Sequence, residues 1–359
     1  MKRLTLTSFV LLGAILLSAC SSAASRGTSW PGLTADANNA YLATGQFIYA
    51  ARLSDGSKLW QYPVKAGSQQ FFAAPLLTPD GQLIVGSAGT DQGLYSLDPA
   101  TGAEKWSAPF TGAKDRWIAA PLVINDTLYA PNNDGSLYAL KLATGQLLWS
   151  LSIGHPLWGA PVTDGKLIFL TSLDHFLYAI DPQSHKIVWK TDLGGSAAGS
   201  PVVSTDQTTL YVGSFASKVF AINAADGSIR WTANTNAWVW SDPVINGSNV
   251  YVADINGQVY SLDASSGQNS WSNIVPDGPI TGSPLLTTDG VIVTTESGFI
   301  YALDHNGKVT WSTSLGGKIY TAPVASGNLV IVAPLGAPYL LYAVNEKDGS
   351  MLPWHFDGK

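Results

Sequence analysis

One phrase recurs eight times along this 359-residue chain: an aromatic residue, a glycine seven positions on, and a tryptophan four positions further. Tyr95, Gly102 and Trp106, inside LYSLDPATGAEKW, form its clearest copy. The eight aromatics are Tyr49, Tyr95, Tyr138, Tyr178, Phe220, Tyr260, Tyr301 and Tyr342. The tryptophans are Trp60, Trp106, Trp149, Trp189, Trp231, Trp271, Trp311 and Trp354, spaced 46, 43, 40, 42, 40, 40 and 43 residues apart. A fixed period near 40 residues marks a repeat architecture, in which each unit buries its apolar face only against its neighbours. A proline opening an apolar run keeps the same beat at Pro31, Pro75, Pro121, Pro161, Pro201, Pro243, Pro284 and Pro323. Both markers count eight units.

Each unit reads as four short strands. In the second these are Ala74–Thr78, Leu83–Ser87, Gly93–Asp98 and Ala103–Ser107. Short runs of β-formers separated by Gly, Asp, Asn and Pro leave no room for a ten-residue helix, so each unit predicts a four-stranded antiparallel sheet. Such a sheet cannot bury both faces alone, and a tryptophan of roughly 150–250 Å² is a natural filler between neighbours. Radial stacking around a channel gives an all-β, eight-bladed β-propeller over residues 29–359.

The glycine in the phrase sits where a hairpin needs positive φ. Seven units supply it, at Gly56, Gly102, Gly145, Gly227, Gly267, Gly307 and Gly349, and the fourth has His185. Three residues after the aromatic, Asp98, Asp181, Asn223, Asp263, Asp304 and Asn345 are placed to accept hairpin hydrogen bonds. Arg52 and Lys141 stand there in the other two units, which predicts looser turns. The seventh phrase is one residue short and the eighth one long, with Pro353 before Trp354.

The formal charge is −6 and only 12% of residues are charged, so nucleic acid is excluded as a partner. The one cysteine, Cys20, follows Lys2, Arg3, an apolar stretch from Leu4 to Leu17, and Ser18-Ala19. That layout predicts a signal peptide over residues 1–19, since the apolar stretch is too short to span a bilayer comfortably. Leu17-Ser18-Ala19-Cys20 resembles the bacterial lipobox, which implies cleavage before Cys20 and its acylation. Residues 20–28 then form a short Ser- and Ala-rich tether to the membrane. The resemblance implies export and a lipid anchor: at the periplasmic face of an outer membrane in a Gram-negative cell, or the outer face of the plasma membrane in a single-membrane cell.

Catalytic signatures are missing. The chain has no G-x-S-x-G, H-E-x-x-H, P-loop or G-x-G-x-x-G motif, and its five histidines show no ligand spacing. No catalytic residue, metal site or cofactor is assigned. Asp242, directly before Pro243 where most units carry Ala or Ser, is the best-placed inward-facing acid. The segment before each repeat proline leads into the innermost strand and rims the central funnel. It holds Phe71, Phe72, Trp117, Trp158, Trp238, Trp240 and Tyr320, rings that either plug the channel or stack a planar ligand, a sugar or a peptide side chain. Lys114, Asp115 and Arg116 form the densest charge cluster on that rim.

The phrase L-Y-A-L-D-x-x-T-G-x-x-x-W resembles the repeat of the PQQ-like β-propellers, a family that includes quinoprotein alcohol dehydrogenases and outer-membrane assembly lipoproteins. The resemblance covers residues 29–359 and implies that the repeat tryptophans dock blade to blade. The dehydrogenase branch implies a vicinal cysteine pair against the quinone and a calcium site with acidic ligands, which this chain lacks. The lipoprotein branch implies a monomeric, non-catalytic scaffold in the bacterial envelope that engages a protein partner. A PQQ-dependent dehydrogenase-like enzyme and a carbohydrate-binding surface lipoprotein are the alternatives.

Overall fold

The computed structural model describes residues 30–359. The segments expected to form the signal peptide and the tether, with Cys20, lie outside the described residues.

Eight antiparallel sheets follow one another along the chain, and in each the strands are paired in sequence order. The sixth is representative, with strands Val244–Asn246, Asn249–Ala253, Gln258–Asp263 and Asn269–Ile274 running from the axis outward. The second and third strands of a blade are almost wholly buried, as at Ile168–Thr171 of the fourth blade, because both faces meet neighbouring blades. Continuous apolar runs, rather than strict alternation, are therefore what these strands need. The core is correspondingly divided: eight apolar clusters sit between successive blades, one of them joining Ile84 and Trp106 of the second blade to Leu128 and Tyr138 of the third.

Seven blades have four strands, and the second has three. Its outer strand, expected over Ala103–Ser107, shrinks to bridges pairing Leu97 with Glu104 and Leu94 with Phe110. Pro109 lies between those bridges and has no N–H to continue the ladder. In the eighth blade, by contrast, Pro353 is accommodated within Met351–Phe356, an outer edge strand whose outward N–H needs no partner.

The hairpin glycines do two things. All seven have positive φ, from 69° to 78°, and His185 adopts 58°. Each glycine also lies under the tryptophan of the preceding blade: a Cβ on Gly145 would come within 2.5 Å of Trp106 Cε3, and one on Gly267 equally close to Trp231. The indole then bonds the same hairpin, as when Trp106 Nε1 donates to Leu142 O at 2.8 Å and Trp231 Nε1 to Ala264 O at 2.9 Å. In the fourth blade the His185 ring stacks on Trp149 at 4.5 Å instead. Trp60 and Trp106 are buried, and the other six repeat tryptophans are half-buried, so the burial expected of them is an upper bound for most blades.

The turns at Arg52 and Lys141 are not looser. Gly56 N donates to Arg52 O at 2.9 Å and Gly145 N to Lys141 O at 2.8 Å, the same bond that Gly102 N makes to Asp98 O. The closing bond is between backbone groups, so the side chain three residues after the aromatic decorates the turn without creating it. Where an acid is present it does accept, as Asp98 Oδ1 does from Ala100 N at 2.8 Å.

The ring closes by packing, with each blade made from one continuous stretch of chain. Leu33, Leu42 and Tyr49 of the first blade share a cluster with Ile331, Leu341 and Phe356 of the eighth. Ser326 Oγ donates to Asp36 O at 2.8 Å, and Trp354 caps Gly56 as its counterparts cap theirs. Among the described residues, Trp354 Nε1 is the one repeated indole N–H that is buried without an acceptor.

Candidate functional site

The segment before each repeat proline carries two registers with opposite fates. Four residues before the proline, Phe71, Trp117, Leu157, Ala197, Val239, Ile280 and Ile319 are all buried. Three residues before it, Phe72, Trp158, Trp240, Thr281 and Tyr320 are half-buried and face the funnel. Phe71 and Trp117 therefore do not belong to the rim: Phe71 packs with Trp60 and Tyr95, and Trp117 packs with Phe110 and Tyr138 while its Nε1 donates to Gln92 O at 2.8 Å. Gly86 permits this burial, since a Cβ there would strike Trp117 Cβ.

The remaining rings converge around a residue absent from the sequence-based rim. Trp30, directly before Pro31, projects across the funnel mouth. Its ring lies 6.5 Å from that of Trp158 and 6.0 Å from that of Trp240, both edge-to-face, and 6.1 Å from Tyr320. Phe215 stacks between Trp238 and Trp240 at 5.3 and 4.9 Å. Trp238 is thus on the outer lip, 49% exposed. The signal for Trp30 was available: it fills the pre-proline position that is Ala, Ser or Asp elsewhere, and a side chain of that size at the axis has only the funnel to enter.

Trp30 divides the funnel into two concavities. One, of about 240 Å³, is lined by Trp30, Trp238, Trp240, Ile255, Glu296 and Tyr320; the other, of about 200 Å³, by Trp30, Phe72, Arg116, Ile118 and Trp158. Arg116 is half-exposed and its Nε lies 3.8 Å from Asp115 Oδ1. Asp115 Oδ2 accepts from Asn133 Nδ2 at 2.6 Å, and Asn133 Oδ1 accepts from Trp158 Nε1 at 2.7 Å, so the charge cluster is wired to the aromatic wall.

Below the rings, the pre-proline residues of successive blades form a polar collar. Ala160 N donates to Ser200 Oγ at 2.8 Å, Ser200 N to Asp242 Oδ1 at 2.5 Å, and Asp242 N to Ser283 Oγ at 3.0 Å. Asp242 retains some exposed surface, yet protein is packed around its carboxyl so closely that desolvation outweighs these hydrogen bonds and pushes its pKa above the ordinary carboxylate range. Charging it therefore opposes folding, and the fold loses stability as pH rises from the ordinary carboxylate range through the raised value. Asp242→Asn keeps an oxygen for Ser200 N–H and removes that cost. The variant's melting temperature should exceed the parent's by about a few degrees at pH 8, with a smaller difference at pH 4; equal differences at the two pH values would contradict a buried, titrating Asp242.

Three other acids are occupied structurally. Asp134 and Asp174 each accept from the tyrosine four residues on, Tyr138 and Tyr178, at 2.6 Å, and Asp91 does so from Tyr95 at 2.5 Å. Burial first, and then the Asp134 carboxylate, push the Tyr138 hydroxyl up to about 12. His175 and His185 are positive-φ turn residues. Among the described residues no three His, Cys, Asp or Glu side chains converge, and Cys20 is the only cysteine.

The sequence model of the family described as "Outer membrane protein assembly factor BamB" matches residues 20–157, 154–209, 174–290 and 277–359. The chain belongs to that family. Its similarity to the outer membrane protein assembly factor BamB of Legionella pneumophila is 24% identity over 211 residues, 58% of this chain and 46% of that protein. It is also similar to tetrathionate hydrolase of Acidithiobacillus ferrooxidans, 27% identical over 289 residues, covering 66% of this chain and 57% of that one. The chain thus spans about half the length of these relatives. Among solved structures, BamB from Moraxella catarrhalis superposes with a TM-score of 0.69 at 18% identity, over 89% of this chain and 91% of that one. The designed protein Ika8 gives 0.74 at 15% identity, over 91% and 96%. At those identities the likeness concerns the fold alone.

Proposed function

We propose that this BamB-family chain is a monomeric, lipid-anchored, non-catalytic scaffold of the bacterial envelope that binds another envelope protein in outer-membrane protein assembly. The observation that carries the reading is the family match, which runs from residue 20 to residue 359 without a gap. The funnel is consistent with it: aromatic walls and a hydrogen-bonded collar offer surface for recognition and no paired acid, base and nucleophile. Acylation of Cys20 would place the anchor ten residues before Trp30, a reach of roughly 35 Å at full extension. Trp30, the first described residue, lies in the funnel mouth, so a lipid on Cys20 would be held within that reach of the aromatic face.

Purification of the protein from native membranes tests the reading. An outer-membrane barrel-assembly protein should co-purify, and a Cys20→Ser variant should leave the membrane fraction. Recovery of the membrane-bound protein without any such partner would reject the scaffold role.

The similarity to tetrathionate hydrolase, together with the raised Asp242 carboxyl beneath the rings, favours one second reading, hydrolysis of a polythionate. Turnover of tetrathionate by the purified protein, lost in Asp242→Asn, would displace the scaffold reading.

A further inference from the structure

Among the described residues, Trp30 is the one funnel residue contributed by the segment entering the propeller; Phe72, Trp158, Trp238, Trp240 and Tyr320 come from loops between blades, and Phe215 from a hairpin within the fifth blade. Its seat is a corner. Trp30 meets Trp158 at 75° and Trp240 at 88°, with Tyr320 tilted against it at 38°. Edge-to-face contact of this kind is the arrangement that aromatic quadrupoles favour, and it suits an inserted ring better than a sugar laid flat on a platform.

Two of the three walls of this seat are held by partners of their own. Trp158 is fixed through Asn133, and Trp240 is stacked on Phe215, which stacks in turn on Trp238. None of these contacts involves Trp30, which is the preorganisation that a binding site needs. Its present occupant fills it incompletely: Trp30 is 39% exposed, and concavities of about 240 and 200 Å³ remain on either side. Glu296 lines the first and Arg116 the second, giving an acceptor and a donor on opposite sides of the ring.

We infer that the funnel is a binding site for an aromatic side chain of an extended polypeptide, and that Trp30 occupies this site in cis until such a chain displaces it. The inference deepens the scaffold reading by naming what the funnel takes, and it rests on that reading for the ligand being a polypeptide. Tethering gives Trp30 a high effective concentration at the site, so a ligand in trans competes against it, and the entering segment acts as a built-in competitor.

Calorimetric titration of the purified protein and of its Trp30→Ala variant with the tripeptides Gly-Trp-Gly and Gly-Leu-Gly, and with maltotriose, tests this. Trp30→Ala should bind Gly-Trp-Gly at least about tenfold more tightly than the parent does. Gly-Leu-Gly should bind the variant at least about tenfold more weakly than Gly-Trp-Gly does, in proportion to the lost ring contacts. Adding Trp240→Ala should abolish the gain while circular dichroism shows both variants folded. No binding to folded Trp30→Ala, equal binding by parent and variant, equal binding of the leucine peptide, or a preference for maltotriose would each overturn the inference. Co-purification of a barrel-assembly partner without peptide binding would remove the inference and keep the scaffold; peptide binding without that partner would do the reverse.

Discussion

Trp106→Ala is expected to destabilise the propeller by about 3–5 kcal/mol, the range for truncating a buried aromatic. Trp106 is 4% exposed, its Nε1 donates to Leu142 O at 2.8 Å, and its six-membered ring covers Gly145 of the next blade. Truncation leaves a cavity walled by two sheets whose own hydrogen bonds prevent collapse, and leaves Leu142 O with only the longer bond from Gln82 Nε2 at 3.3 Å. Denaturant unfolding followed by circular dichroism measures the loss. Trp238→Ala is the contrasting case, since Trp238 is 49% exposed and its removal should stay within about 0.5 kcal/mol. A Trp106→Ala loss under about 1 kcal/mol would mean that the repeated tryptophan is not what joins these blades.

Gly145→Ala should be nearly as damaging, for two separable reasons. The residue is held at φ 71°, which costs a side chain about 1–2 kcal/mol. The added Cβ would also lie 2.5 Å from Trp106 Cε3, an overpacking of about 1–3 kcal/mol. The second term exists only while the indole is present. In a double-mutant cycle, Gly145→Ala should therefore cost less in a Trp106→Ala background, with a coupling of about 1–3 kcal/mol. Additive losses would assign the glycine to turn geometry alone. His185 shows the same separation in the native chain, because it takes positive φ and stacks its ring on Trp149 where a glycine would have lain beneath it.

The ring was legible in the sequence because its determinants are periodic: tryptophan and proline recur in every blade and the hairpin glycine in seven of the eight, each for a physical reason that repeats with it. The site was legible only in part. Phe71 and Phe72 are adjacent and chemically identical, yet one is core and the other faces the funnel, and nothing local to the pair says which. The register is set by the short innermost strand that follows, only Leu76–Leu77 in that blade. Trp158, Trp240 and Tyr320 share Phe72's register and are half-buried, whereas Trp117 shares Phe71's and is core. Trp30 stands one residue before Pro31, outside the repeated phrase, so the repeat carries no information about it. The expectation of loose turns at Arg52 and Lys141 failed for a different reason, since a backbone-to-backbone bond closes those hairpins whatever side chain stands there. The loss of the outer strand from the second blade traces to Pro109, a single residue outside the repeated phrase.

If the repeated positions hold the ring and the departures from the repeat carry the function, stability and partner binding should be separable. The direct measurement is co-purification from native membranes with Trp158→Ala/Trp240→Ala, two half-buried funnel residues outside the repeated phrase, alongside the melting temperature of the same variant. The variant should melt within a few degrees of the parent and lose the envelope partner. A variant that melts like the parent and still retains its partner in full would contradict that expectation.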